Sequence, residues 1–343
     1  IENRFLRVQW DADGLLTSIF DKENDRELLS TPDGNLLCVF QDKPIHESAW
    51  NMELNYRKKC WELRQAESIA IAENSPERAC VRMVRRFNKS VITQDISLCA
   101  DDRFVHFDVS ADWQETEKTL KAAFRLNIRS VRATYEIAHG SCERPTHMNT
   151  LYDRAKFENC AHKWVDLSEG DYGVSLINES KYGHDIENNL LRITLLRSPI
   201  CPDRTADHGQ HSFSYRLYPH TGTWQQAKTV RMANEFNCPL AVLPLQTNQC
   251  GDLSDTHSFI AVSDECLVLD AFKAAEDGKG LILRVYEAHG TRGNRTVTLG
   301  FPFADVYECD LMEDGMTAVQ TTENGFTFFC TPNEVKTFRI LLK

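Results

Sequence analysis

Short segments that alternate apolar and polar residues, broken by turn residues, run through almost the whole chain. Phe5 to Trp10 alternates, Asp11 to Gly14 turns, and Leu15 to Phe20 returns, which predicts a hairpin. Cys80 to Phe87 and Ser90 to Cys99 predict a second strand pair across Asn88 and Lys89. Phe104 to Val109 follows with apolar residues at every other position, the period of a half-buried strand. Leu120 to Ile128, Gly173 to Ile177, Leu190 to Leu196 and His211 to Leu217 extend the series. Helical character is confined to Thr223 to Phe236, where Ala, Gln, Lys and Met dominate without glycine or proline. Neither a βαβ alternation nor a glycine-rich phosphate loop is present, so the expected class is all-β.

Asn237, Pro239, Pro244 and Asn248 then interrupt the pattern, and a linker is expected over 236–254. It separates a large β-domain at 1–235 from a smaller one at 255–343. In the latter, Val268 to Phe272, Leu281 to Glu287, Arg295 to Gly300, Asp305 to Asp310, Gly325 to Cys330 and Glu334 to Leu342 predict a small β-sandwich. A chain of 343 residues accommodates such a division.

Composition narrows the function classes. The formal net charge of -11 opposes a nucleic-acid partner, which calls for basic patches. No apolar run approaches the roughly 20 residues of a membrane helix, so no membrane partner is expected. The twelve cysteines fall singly, without a CxxC pair. Cys38, Cys80, Cys99, Cys160 and Cys330 sit in or beside apolar runs, which predicts reduced, buried thiols and a cytoplasmic location.

Polar and aromatic residues crowd most densely between Arg132 and His220, and the candidate chemistry lies there. Glu136, Asp153, Glu158, Asp166, Asp203 and Asp207 are the acids available for glycoside chemistry, but spacing singles out no pair. Asp203, Asp207, His208 and His211 have the ligand types of a metal site, yet a polar loop turned at Gly209 is the preferred reading, with no metal assigned. Pro145 stiffens the segment from Arg144 to His147, where Arg144 is a candidate ion-pair partner of Asp153. Trp50, Trp113 and Trp164 are expected in the core rather than as sugar platforms. No nucleophile elbow and no H-E-x-x-H motif occurs.

Taken together, the segments Tyr135-Glu136-Ile137, Arg144-Pro145-Thr146-His147, His162-Lys163-Trp164, Tyr172-Gly173-Val174-Ser175-Leu176 and Leu195-Leu196-Arg197-Ser198-Pro199 resemble the C-terminal region of family 38 glycoside hydrolases, the α-mannosidases. The likeness extends from Asp42 and Ala49-Trp50 through Asp112-Trp113 to Phe272-Lys273 and Arg284-Val285-Tyr286-Glu287. It implies a galactose-mutarotase-like β-supersandwich followed by a smaller β-sandwich. It also implies that the nucleophile and zinc ligands lie in an upstream catalytic domain, so this chain carries neither a catalytic residue nor a cofactor of its own. Its start at Ile1 without an initiator Met fits a piece of a longer polypeptide.

On that resemblance the partners are an α-mannoside, the upstream domain and a further copy of the protein. Arg144, His147, Asp203, Arg204, Asp207 and His211 are the candidate substrate-proximal residues. Two rivals stand beside this reading. A stand-alone mutarotase-like enzyme needs His147 to converge with Glu136 or Glu158, and a carbohydrate-binding module needs Trp164 or Trp224 exposed.

Overall fold

The structure is a computed structural model that describes residues 1–244, 251 and 253–343. Residues 245–250 and 252, part of the expected linker, lie outside the described residues. Two compact units emerge: Ile1–Glu136 with Cys142–Thr229, and Val230–Lys343 with Ile137–Ser141.

In the first unit the alternating segments become antiparallel strands of two large sheets. A nine-stranded sheet runs from Gly140–Pro145 at one edge, through Tyr172–Asn178, Gly209–Thr221 and Val105–Trp113, to Ser68–Asn74 at the other. A six-stranded sheet runs in the order Asn159–Cys160, Gly183–Glu187, Leu190–Ser198, Lys118–Arg125, Leu36–Gln41 and Cys60–Glu62. Leu120, Ala122, Phe124 and Ile193 from the second sheet share one core with Phe107, Val109, Leu176 and Tyr215 from the first. Phe107 stacks on Tyr215 at 4.8 Å and meets Phe124 edge-on at 5.8 Å, which makes the pair of sheets a sandwich. The predicted hairpin of Leu6–Trp10 and Leu16–Asp21 adds a small third sheet whose Leu6, Val8 and Ile19 enter the same core.

The second unit repeats the principle on a smaller scale. A five-stranded sheet containing Leu281–Glu287, Phe303–Cys309 and Val335–Leu342 faces a four-stranded one containing Gly293–Leu299 and Gly325–Cys330. Phe338 from the first lies 4.7 Å from both Phe326 and Phe328 of the second. Gly325 is a place where only hydrogen fits, since a Cβ would stand 2.0 Å from the Val297 carbonyl oxygen.

The helical expectation is only half met. The helix covers Thr229–Asn237, while 224–228 form a separate turn. Thr223 and Gln226 cap that turn reciprocally, and Lys228, at φ 58°, takes the left-handed conformation that ends it. A one-turn helix at Leu151–Ala155 was not predicted, although Thr150 and Asp153 form a capping box readable as T-x-x-D. Among the described residues no helix is long and apolar enough to cross a membrane.

Candidate functional site

The strands Leu36–Gln41 and Leu190–Ser198 end level with one another, because Gln41 and Ser198 both pair with Lys118. Their loops, 42–53 and 199–208, therefore leave one end of the six-stranded sheet, and Arg197 ties the first of them down. Its Nε donates to Asp42 Oδ2, Nη1 to the Ala49 carbonyl at 3.2 Å, and Nη2 to the Asn51 carbonyl. Ser48 Oγ accepts from the amides of Ile200 and Cys201, each at 3.0 Å, which joins the two loops. On this fixed frame Trp50 is 70% exposed and Ile45 78%. Trp113 and Trp164 sit in the core as expected, but Trp50 does not. It belongs to a loop, where no facing sheet covers it.

The Asp203–His211 segment is held by its own hydrogen bonds. Asp203 accepts from the Thr205 amide and hydroxyl, which holds its carboxyl below the usual range. Asp207, at φ 60°, turns its carbonyl to His211 Nε2 at 2.8 Å, and Gly209 at φ 124° completes the bend. His208 Nε2 lies 2.9 Å from the Glu115 carbonyl oxygen. Arg204 is exposed and makes no ion pair among the described residues. No group of three or more His, Cys, Asp or Glu side chains suited to a metal converges among the described residues.

Arg144 and Asp153 do not pair, contrary to the sequence expectation. The Arg144 guanidinium lies over the Tyr135 ring at 5.4 Å. Asp153 is instead taken up by the helix cap, where bonding to Thr150 lowers its pKa, and it sits 3.7 Å from His147 Nδ1. The cap of this five-residue helix occupies the Asp153 carboxylate, which accepts from the Thr150 amide at 3.1 Å. His147 lines an open cleft of about 550 Å³ with Arg129, Asn188 and Asn189. On the helix beside it, Leu151 and Tyr152 are each 83% exposed. No hydrogen bond or ion pair among the described residues joins Arg144 and His147 to the Asp203–His211 loop.

A buried polar constellation that sequence reasoning missed lies elsewhere. On the strand Lys118–Arg125, Leu120, Ala122 and Phe124 face the core, so Lys121 faces the opposite side of the sheet. There it is wholly buried, with Nζ 2.6 Å from Glu158 and 2.7 Å from Asp185. Arg192 donates to Asp185 through Nε at 2.7 Å, and Arg57 bridges Asp185 and Glu187 at 3.3 and 2.9 Å. Thr194 Oγ1 donates to Glu158 at 2.9 Å. Three cations (Lys121, Arg57, Arg192) thus meet three carboxylates (Glu158, Asp185, Glu187) in a neutral set. Burial opposes charge at Asp185, but the adjacent Lys121 and Arg192 outweigh it and hold the carboxyl well below its ordinary value. The one available signal was a lysine inside the otherwise apolar run Leu120-Lys121-Ala122-Ala123-Phe124.

The remaining acids weighed for catalysis have structural partners too. Glu136 accepts from the Lys163 amide at 2.6 Å, and burial raises its pKa. Asp166 accepts from Ser168, Ser175 and His220 at 2.5, 2.7 and 2.8 Å. His147 therefore has Asp153 beside it, while Glu136 and Glu158 are engaged with Lys163 and Lys121. Trp164 and Trp224 are both buried, 4.9 Å apart, which counts against them as an exposed sugar platform.

Known proteins place this architecture. Residues 1–205 match the glycosyl hydrolases family 38 C-terminal domain, and residues 267–338 match the glycosyl hydrolases family 38 C-terminal beta sandwich domain. Alpha-mannosidase 2C1 of Mus musculus is 35% identical over 354 residues, covering 100% of this chain and 34% of the relative. Alpha-mannosidase G of Dictyostelium discoideum is 34% identical, covering 99% of this chain and 32% of the relative. The chain thus spans about a third of the length of these relatives. An α-mannosidase from Enterococcus faecalis V583 superimposes with a TM-score of 0.81 at 15% identity, over 99% of this chain and 42% of that one. At that identity the likeness speaks for the fold. Because the first match covers well over half of its residues, the chain belongs to the C-terminal region of family 38 of the glycosyl hydrolases.

Proposed function

We propose that this chain is the C-terminal, non-catalytic β-domain portion of an α-mannosidase whose upstream domain supplies the nucleophile and zinc. The parent hydrolyses terminal α-mannosides with retention, through a glycosyl-enzyme intermediate on an upstream Asp, and works in the cytoplasm as a homo-oligomer. Zinc bound upstream polarises and orients the sugar hydroxyls. The β-domains, taken as 1–235 and 255–343 about a linker at 236–254, buttress the catalytic domain and line one wall of its cleft. The observation that carries this reading is the similarity of the whole chain to one third of each α-mannosidase.

The loops 42–53 and 199–208, at one end of the strand Leu190–Ser198, and the segment 144–153, whose Thr146 bonds Asn188 at the other end, both turn to the upstream domain. Exposed Trp50, Ile45, Leu151 and Tyr152 on tied or capped segments support this, since apolar side chains held out on fixed backbone suit a surface that is covered in the whole protein. Arg144, His147, Asp203, Arg204, Asp207 and His211 supply hydrogen bonds to sugar hydroxyls at that face and take no part in bond cleavage.

Amide hydrogen exchange of the isolated chain and of the full-length parent tests this. Residues 45–51, 147–153 and 203–209 are expected to exchange at least about tenfold more slowly in the parent. Equal exchange in both would move the interface elsewhere.

A further inference from the structure

Of the six tryptophans, Trp113, Trp164 and Trp224 are buried, Trp10 and Trp61 are half-buried, and Trp50 alone is exposed. Its backbone is nonetheless held from both sides. The Arg197 guanidinium donates to the carbonyls of Ala49 and Asn51, the two residues that flank it. The amides of Trp50 and Asn51 both donate to the Glu47 carbonyl, at 2.9 and 3.0 Å, and the Ala49 amide donates to the Cys201 carbonyl at 3.1 Å. Arg197 is anchored in turn on buried Asp42, which accepts from Thr119 of the strand Lys118–Arg125 at 3.1 Å. The turn therefore presents the indole on ordered backbone, so little further ordering is paid when something binds it.

The ring itself is uncommitted. Among the described residues it makes no ring contact, no cation contact and no hydrogen bond through Nε1. The exposed side chains of His46 and Glu47 make no bond among the described residues either. An apolar protein partner calls for a continuous apolar patch with its polar rim further out. In this loop Ile45 is the one other large apolar side chain exposed, and His46, Glu47, Ser48 and Asn51 around Trp50 in the chain are polar. A flat apolar face with an N–H at its edge and a carboxylate in the same turn matches a pyranose, which carries C–H faces and a rim of hydroxyls.

We propose that Trp50 is a sugar platform, on which the C–H face of a neutral pyranose stacks while its hydroxyls bond Nε1–H and Glu47. The Glu47 carboxylate repels an acidic sugar, which is why the ligand is neutral. The platform stands on the geometry of this loop. The choice of an α-mannoside as the pyranose rests on the proposed function, in which the loop lines one wall of the cleft.

The indole N–H resonances of the intact chain report the six tryptophans separately, with that of Trp50 identified by its loss in Trp50→Ala. The chain is titrated with methyl α-mannoside, with methyl β-galactoside, and with sorbitol, which has hydroxyls but no ring face. Methyl α-mannoside is expected to shift the Trp50 resonance saturably and leave the others in place, and sorbitol to shift none. Saturation transfer to the sugar protons is expected to vanish in Trp50→Ala, while Trp50→Phe, which keeps a ring but loses the N–H, weakens binding about fivefold. Urea midpoints equal to that of the parent chain would show that both variants fold. A shift with the galactoside alone would keep the platform and overturn the choice of mannoside. Three results would overturn the platform: no saturable shift with either glycoside, an equal shift with sorbitol, or undiminished transfer in Trp50→Ala. The first of these would leave Trp50 as an anchor for a protein partner. Hydrolysis of the mannoside by the chain would contradict the wider reading and leave the platform standing.

Discussion

Lys121→Met is expected to destabilise the first unit by about 3–5 kcal/mol, the cost of removing one partner from a buried charge set. Among the described residues the ammonium is the only cation within bonding distance of Glu158 and one of three around Asp185. Without it Glu158 keeps a hydroxyl, from Thr194, and a 3.4 Å approach from Tyr56, but no compensating charge. The readout is selective, because all six tryptophans lie between Trp10 and Trp224, in the first unit. Urea unfolding followed by tryptophan emission therefore reports that unit alone, which matters in a chain of two units where a single transition is not assured. Adding Glu158→Gln to Lys121→Met should recover part of the loss, since it removes the orphaned charge. A loss below about 1 kcal/mol for the single variant would mean that water or a rearranged Arg57 replaces the ammonium.

Stability of the same unit should fall by roughly 3 kcal/mol between pH 6.5 and pH 4 on account of His184. His184 pairs with Ile193 across the ladder, and Ile193 belongs to the apolar core, so the imidazole faces inward while its neighbour Asp185 faces the charge set. Burial pushes its pKa from 6.5 down to about 4, and Lys121 adds to the depression. Between those two values the unfolded chain binds a proton that the folded one refuses. The stabilisation is therefore complete above pH 6.5, shrinks as the pH falls, and is gone below pH 4. Nδ1 lies 3.1 Å from the Tyr182 carbonyl and Nε2 has no partner among the described residues, so the folded state holds the neutral ring with the proton on Nδ1. His184→Gln should flatten this limb of the profile of urea midpoint against pH, whatever it does to stability at pH 7. A limb of unchanged slope in the variant would assign the effect to another group.

Strand placement was legible because period-two alternation is a local property. Ser90–Cys99, Leu281–Glu287 and Gly325–Cys330 begin and end where the residue pattern does. Leu36–Gln41 was missed for the opposite reason: it is buried on both faces, reads as an unbroken apolar run, and carries no period. The tryptophans followed the same logic, with strand residues Trp113 and Trp164 in the core and Trp50, in a loop, outside it.

The charged face was illegible because the one local cue, a lysine inside an apolar run, does not name the partners that bury it. Lys121, Asp185 and Arg57 come from three separate elements and Glu158 from a connecting segment, and they meet only once the six-stranded sheet is assembled and covered by 54–58 and 157–158. The Arg144–Asp153 expectation failed because a local cap at Thr150 claimed the carboxylate first.

The central claim is that this chain supports an α-mannosidase without performing its chemistry. Hydrolysis of an aryl α-mannoside, measured for the isolated chain and for the full-length parent, each with and without added zinc, tests it most directly. The account predicts turnover by the parent and none by the chain under either condition. Zinc-dependent turnover by the chain alone would contradict it and would turn attention to the Asp203–His211 loop.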